Sequence, residues 1–173
     1  MKFNLVDRIE LLEVGRRIVA IKALSLAEEY LADHFPAFPV LPGVLMIETM
    51  VQAAAWLVRL EQDFANSIVV LSCASNVRYG HFVQPGSLFR AEVEAVSIGP
   101  AKSQFKAVGH VCEADGESRK AVSARLELRS YRLGDSDKRL AGADAAIVAG
   151  LKEQFKLIGG PEALEAAGGA RRA

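Results

Sequence analysis

Cysteine is scarce: Cys73 and Cys112 are the only two in 173 residues. Two thiols build no disulfide framework, so the fold is expected to rest on its core, in a reducing compartment such as the cytoplasm. Charge imbalance is also lacking. Lys plus Arg and Asp plus Glu number 21 each, which argues against a general nucleic-acid binder, a class that is clearly basic. The first ten residues lack the apolar region of a signal peptide. No internal repeat is found. Residues 44–60 (VLMIETMVQAAAWLVRL) come nearest to a membrane span, but Glu48, Gln52 and Arg59 interrupt them. His110 and Cys112 share a strand face and Cys73 could lie near, yet no second pair completes a metal set, so partly buried strand residues is the better reading. Arg171-Arg172 is too short a basic run to mean nucleic acid.

What is present is ordinary globular composition, 51% hydrophobic and 24% charged, at the length of one domain. That is enough chain to bury a core without disulfides or metal. Residues 44–60, rich in Ala, Leu and Met, read as a helix apolar on most sides and hence buried in protein, with Trp56 and Met50 as core packing. Five segments read as strand: 16–26, 67–77, 88–96, 103–112 and 120–131. In the last three, Phe89, Ala91, Val93 and Ala95, then Phe105, Ala107, Gly109 and Val111, then Val122, Ala124, Leu126 and Leu128 each share one face. A period of two with one apolar face predicts antiparallel sheet over a single core, with turns at Gly99-Pro100 and Asp115-Gly116. One long helix wrapped by such a sheet is an α+β arrangement.

Beyond residue 133 the composition shifts, which predicts a domain over 1–133 and an extension over 134–173. Residues 134–138 (GDSDK) read as a polar linker. Ile147, Val148, Leu151, Phe155 and Ile158 recur at helical spacing, and Gly159-Gly160-Pro161 is expected to stop that helix. Residues 162–173 are expected to fray. The helix is too apolar to hang free, so it docks on its own subunit or on a neighbour, where it would support assembly.

Two features stand out chemically. Glu48 sits in an otherwise apolar helix, where desolvation would raise a carboxylate's pKa; it is either a perturbed acid or a carboxylate facing a solvent crevice or capping neighbouring backbone. Gln52, one turn on, is more simply an amide that satisfies buried backbone groups. The loop before the helix holds Pro36, Pro39 and Pro42 in seven residues, which stiffens it into a good mount for His34. A lone histidine is more often a structural hydrogen-bonder than a catalyst. Gly43 opens the helix, where an unpaired N–H can hold a developing oxyanion.

Together these residues, HFPAFPVLPGVLMIETMVQ over 34–52, resemble the signature of hot-dog-fold 3-hydroxyacyl-acyl-carrier-protein dehydratases of the FabZ type, roughly H-F-P-G-x-P-V-M-P-G-V-L-x-x-E-x-x-x-Q. Leu5-Val6-Asp7-Arg8 with residues 15–22, Asn76-Val77-Arg78-Tyr79 and Val83-Gln84-Pro85-Gly86 extend the resemblance, which covers about 130 residues and stops before the tail. It implies a hot-dog fold and dehydration of 3-hydroxyacyl thioesters in fatty-acid biosynthesis. His34 would be the catalytic histidine, Glu48 the catalytic acid (Glu rather than Asp favouring FabZ over FabA type), and Gly43 the N–H that binds the thioester carbonyl. Phe35, Pro42, Val44, Gln52 and Tyr79 would contact substrate. No metal or organic cofactor is implied. The implied partners are acyl carrier protein and a second copy, since the family's His and Glu meet across subunits; a trimer of dimers is the larger option.

Three departures stand against the pattern. Ala37 and Asp33 replace glycines, so the loop is expected to be restricted and His34 to feel a neighbouring carboxylate. Gly80-His81-Phe82 stands where a basic pair and a proline are usual, which weakens the surface for an acidic carrier and leaves Arg16, Arg17, Lys22 and Arg78 to compensate. The rival readings are a hot-dog acyl-thioesterase and a non-catalytic acyl-binding paralogue in a hetero-oligomer.

Overall fold

A computed structural model describes residues 3–113 and 116–170. Arg8–Glu13 (β1) and Arg17–Ala23 (β2) form a hairpin through Gly15, whose φ of 72° suits only glycine without strain. The central helix α1 is Gly43–Glu61. Ile68–Tyr79 (β3), Leu88–Ile98 (β4), Lys102–Cys112 (β5) and Ser118–Tyr131 (β6) complete one antiparallel sheet of order β1-β2-β4-β5-β6-β3. Sequence patterning places every strand but β1, where only Ile9 and Leu12 are buried and the alternation is too short to read. The turn at Gly99 closes through Gly99 N–H to Lys102 carbonyl at 3.1 Å; Asp115 and Arg171-Arg172 lie outside the described residues.

The alternating faces fall where the period of two puts them. Phe89, Ala91, Val93, Phe105, Ala107, Val111, Val122, Ala124, Leu126 and Leu128 are buried against α1, and Ala95 packs at their margin. Gly109 keeps its place because a Cβ there would sit 2.2 Å from the Phe89 ring. α1 packs against β2 to β6. By length and composition it could cross a bilayer, but most of it is buried within the protein, with Met50 and Trp56 in the core. Pro42 caps its start with ψ 136°, and Asp63 and Phe64 at positive φ end it.

The extension docks on its own chain. Four residues, Leu133–Ser136 (α2), turn into Ala141–Leu157 (α3), and Gly160–Ala170 (α4) follows. The expected linker is clamped: Asp144, 2% exposed, accepts from Leu133 N–H (2.9 Å), Gly134 N–H (2.8 Å) and the Ser67 hydroxyl. The Ser67 bond, with the two backbone donors, holds the Asp144 carboxyl below its usual value against the cost of burial. Phe155 meets Trp56 at 5.5 Å between ring centroids, and Ile158 carbonyl accepts from Ile9 N–H at 2.8 Å on the sheet edge. Through Ala170 the chain is helical after Gly159 rather than frayed, and residues 171–173 lie outside the described residues. Gly159 at φ 74° ends α3, and Pro161 suits the first turn of α4, where its missing N–H costs nothing. Ala163 is buried as α4 packs against β1.

Candidate active site

The loop before α1 is pinned by Leu41 N–H donating to Val83 carbonyl at 2.9 Å and closed on itself by Phe38 N–H to Phe35 carbonyl at 2.8 Å. Phe35 carries the strain, with φ 52° in a bulky residue, and is 61% exposed. Ala37 has no positive φ, so the glycine it replaces is not needed there for backbone reasons. The half-buried His34 ring stands edge-on to Phe35 at 4.5 Å. Asp33 is exposed and makes no ion pair with His34 among the described residues.

At the helix start, Leu45 and Met46 N–H both turn to the Pro42 carbonyl, and Gly43 N–H finds no acceptor among the described residues. It is a donor aimed out of the helix at its positive end. Tyr79 lies against it: a Cβ on Gly43 would be 2.8 Å from the Tyr79 ring. Pro42 is buried beneath, while Val44 is 70% exposed and so faces outward from this chain.

Glu48 is half-buried on the wall of a pocket of about 350 Å³ rather than sealed in the core. Gln52 satisfies backbone groups, as expected, and also reaches Glu48. Its amide donates to Glu48 Oε1 at 2.9 Å and to Phe3 carbonyl at 3.3 Å, and its carbonyl oxygen accepts from Leu5 N–H at 2.9 Å. The amide thus ties the N-terminal segment to the helix and fixes the carboxylate. His34 does not line this pocket, so one chain brings Glu48 and Gln52 together and leaves His34 apart.

Sequence reasoning passed over the far end of the pocket. Arg59 lies on the Glu48 face, and Leu151 and Gln154 arrive from α3. The Arg59 guanidinium stacks on Trp56 at 5.1 Å, and its Nε is buried without a hydrogen-bond partner. Burial pushes its pKa down to about 10, which still leaves a cation at neutral pH. An arginine eleven residues, about three helical turns, from Glu48 was the available signal.

Of the basic residues offered for carrier binding, Lys22 is 5% exposed and paired with Glu28 at 2.6 Å and Asp7 at 3.2 Å. Burial disfavours its ammonium, but Glu28 and Asp7 outweigh that and raise its pKa. Arg16 and Arg17 pair with Glu13; Arg78 is exposed beside Tyr79. His110 lies 3.6 Å from Glu92, and no cluster of three metal-type ligands occurs among the described residues.

The profile of the FabA-like domain matches residues 1–122. The chain belongs to the FabA-like family. Curated relatives called 3-hydroxyacyl-acyl-carrier-protein dehydratase FabZ are similar: that of Geobacillus thermodenitrificans is 38% identical over 118 residues, covering 65% of this chain and 81% of the relative. That of Bacillus cereus is 32% identical over 133 residues, 77% of this chain and 87% of the relative. The FabZ-type resemblance read from residues 34–52 therefore stands. Among solved structures, the dehydratase heterocomplex ApeI:P of Xenorhabdus doucetiae superposes with a TM-score of 0.59 at 18% identity, covering 79% of this chain and 89% of that one. A thioesterase family protein of Silicibacter pomeroyi does so with 0.58 at 18%, covering 74% and 86%. These two share the hot-dog fold with this FabA-like chain. The match to the FabA-like profile ends before α2, so the residues that α3 adds to the pocket lie outside it.

Proposed function

We propose that this FabZ-type enzyme dehydrates 3-hydroxyacyl thioesters to trans-2-enoyl thioesters in fatty-acid biosynthesis, with His34 as base, Glu48 as acid and Gly43 N–H as oxyanion donor. The observation that carries the assignment of roles is the free Gly43 N–H at the start of the same helix that holds Glu48 on a pocket wall. The C2 proton of the substrate is weakly acidic. A hydrogen bond from Gly43 N–H to the thioester oxygen stabilises the enolate character that develops as His34 takes that proton. The C2–H electrons form the C2=C3 bond as the C3–O bond breaks. The departing oxygen takes a proton from Glu48 and leaves as water. His34 then returns its proton, and Glu48 regains one, by exchange with solvent. Gln52 orients Glu48, and Tyr79, Phe35, Pro42 and Val44 frame the mouth. No step calls for a metal or organic cofactor.

The site is composite. Glu48 faces its pocket without His34, and β3 is an edge strand of twelve residues whose outer side is free to pair with a second copy. Val70 and Leu71 on it are exposed apolar side chains, as are Phe35, Val44 and Tyr79 at the mouth. A dimer, or a trimer of dimers, covers them. The substrate rides on acyl carrier protein in the cytoplasm, where the free Cys73 and Cys112 stay reduced. Exposed Arg78 is the basic residue left at the mouth to meet the acidic carrier.

Purified protein incubated with 3-hydroxyacyl thioesters is expected to yield the trans-2-enoyl product; free acid instead would indicate a thioesterase. Mixing His34→Ala and Glu48→Gln subunits is expected to restore turnover, because a mixed dimer rebuilds one complete site. Two inactive variants that stay inactive after verified subunit exchange would sink the composite site. Inert wild-type protein would favour the non-catalytic acyl-binding paralogue.

A further inference from the structure

Glu48, Gln52, Ala55 and Arg59 follow one another at helical spacing and line a single pocket along α1. Glu48 and Arg59 are eleven residues apart, about 16 Å along the axis. The small Ala55 leaves room between them, and Val69 and Leu151 make the side walls apolar. The near end is the reaction chemistry proposed above. The far end is unlike an apolar tunnel terminus. It holds the Arg59 guanidinium, stacked on Trp56, whose buried Nε has no hydrogen-bond partner among the described residues, and Gln154 lines the same pocket. A desolvated cation without a counter-charge is costly, and a planar fork of N–H donors matches a carboxylate in shape and charge.

We propose that the far end of this pocket binds a carboxylate at the tail of the acyl chain, so that the preferred substrates are ω-carboxyacyl thioesters. Arg59 is then a specificity-determining residue and Gln154 its flank. The substrate class rests on the dehydratase reading; the carboxylate site itself does not. An apolar chain of matching length would leave Arg59 unpaired, and the apolar walls between Gln52 and Arg59 suit the methylenes that join the two ends.

The test uses the full-length protein and two 3-hydroxyacyl N-acetylcysteamine thioesters of equal length, one ending in a carboxylate and one in a methyl group. Trp56 is the only tryptophan and lines the pocket, so its fluorescence reports binding without turnover. Wild type is expected to bind the carboxylate-ended thioester at least tenfold more tightly. Arg59→Leu is expected to abolish that preference, Arg59→Lys to keep part of it, and Gln154→Leu to reduce it. Equal binding of both probes by wild type overturns the proposal, as does a preference untouched in both Arg59→Leu and Gln154→Leu. Should Arg59→Leu fail to fold, the wild-type preference and the Gln154→Leu variant decide. If Arg59→Leu instead breaks the oligomer and leaves the preference intact, Arg59 belongs to a subunit contact and the proposal fails. Enoyl formation is followed in parallel. Product with no preference between probes sinks the carboxylate site alone, and a binding preference with no product sinks the dehydratase reading alone.

Discussion

The two ends of α1 differ in cover and in the polarity of what surrounds them. At the near end, Gly43, Glu48 and Gln52 stand in a dense motif, and their neighbours are a strained loop, an exposed Val44 and a tyrosine lying on bare glycine. At the far end, Trp56 and Arg59 are covered by Phe155, Leu151 and Gln154, which come from a segment beyond the FabA-like match. The near end leaves its polar groups partly open. The far end closes over aromatic packing. One helix thus joins a motif inside the FabA-like match to a cover supplied from outside it.

Four experiments would break or sharpen that contrast. His34→Ala and Glu48→Gln are each expected to lower kcat/KM by about 100-fold or more, the usual range for an acid or base, with melting temperature nearly unmoved. Near-wild-type turnover in either variant would remove the near end from the chemistry.

Phe155→Ala should do the reverse. Losing a buried ring beside Trp56 is expected to cost about 3–5 kcal/mol of stability, read by denaturant unfolding. Turnover per folded protein on short acyl chains should be largely kept. A stable variant would mean that α3 sits only loosely on the core.

Gly43→Ala should force the Tyr79 ring aside, since the added Cβ would lie 2.8 Å from it. Its loss of turnover is expected to be smaller in a Tyr79→Ala background, with a coupling on the order of 1 kcal/mol. Purely additive effects would show that the ring and the helix start act independently.

The smallest effect concerns the clamp at the root of the extension. Folding lowers the Asp144 pKa, so the folded state takes up its proton less readily than the unfolded chain. Asp144 therefore contributes stability above the ordinary aspartate value of about 3.9, and that contribution is lost as pH falls through the folded value. Asp144→Asn should melt several degrees lower than wild type at pH 7, and the gap should close below about pH 4. A gap constant with pH would mean that the charge is not what holds Leu133 and Gly134.

The faces of β4, β5 and β6 and the buried helix were legible because alternation and helical spacing record which side meets the core. Residues 34–52 were legible as a candidate site because His34, Gly43, Glu48 and Gln52 stand in one short segment at the spacing of the FabZ-type signature. β1 was not legible: two buried residues in six leave no period to see. Nor was α4, whose glycines and alanines look like a frayed tail until Ala163 is set against β1.

By itself, the order of residues determined the α+β class, the central helix, the faces of the three alternating strands and the local group of Gly43, Glu48 and Gln52. These depend on neighbours within a few positions, so local spacing encodes them. The tertiary structure alone decided that His34 stands apart from Glu48's pocket, that Lys22 is buried between Asp7 and Glu28, and that Gln154 reaches the pocket holding Arg59. Those contacts join distant parts of the chain, and only packing brings them together.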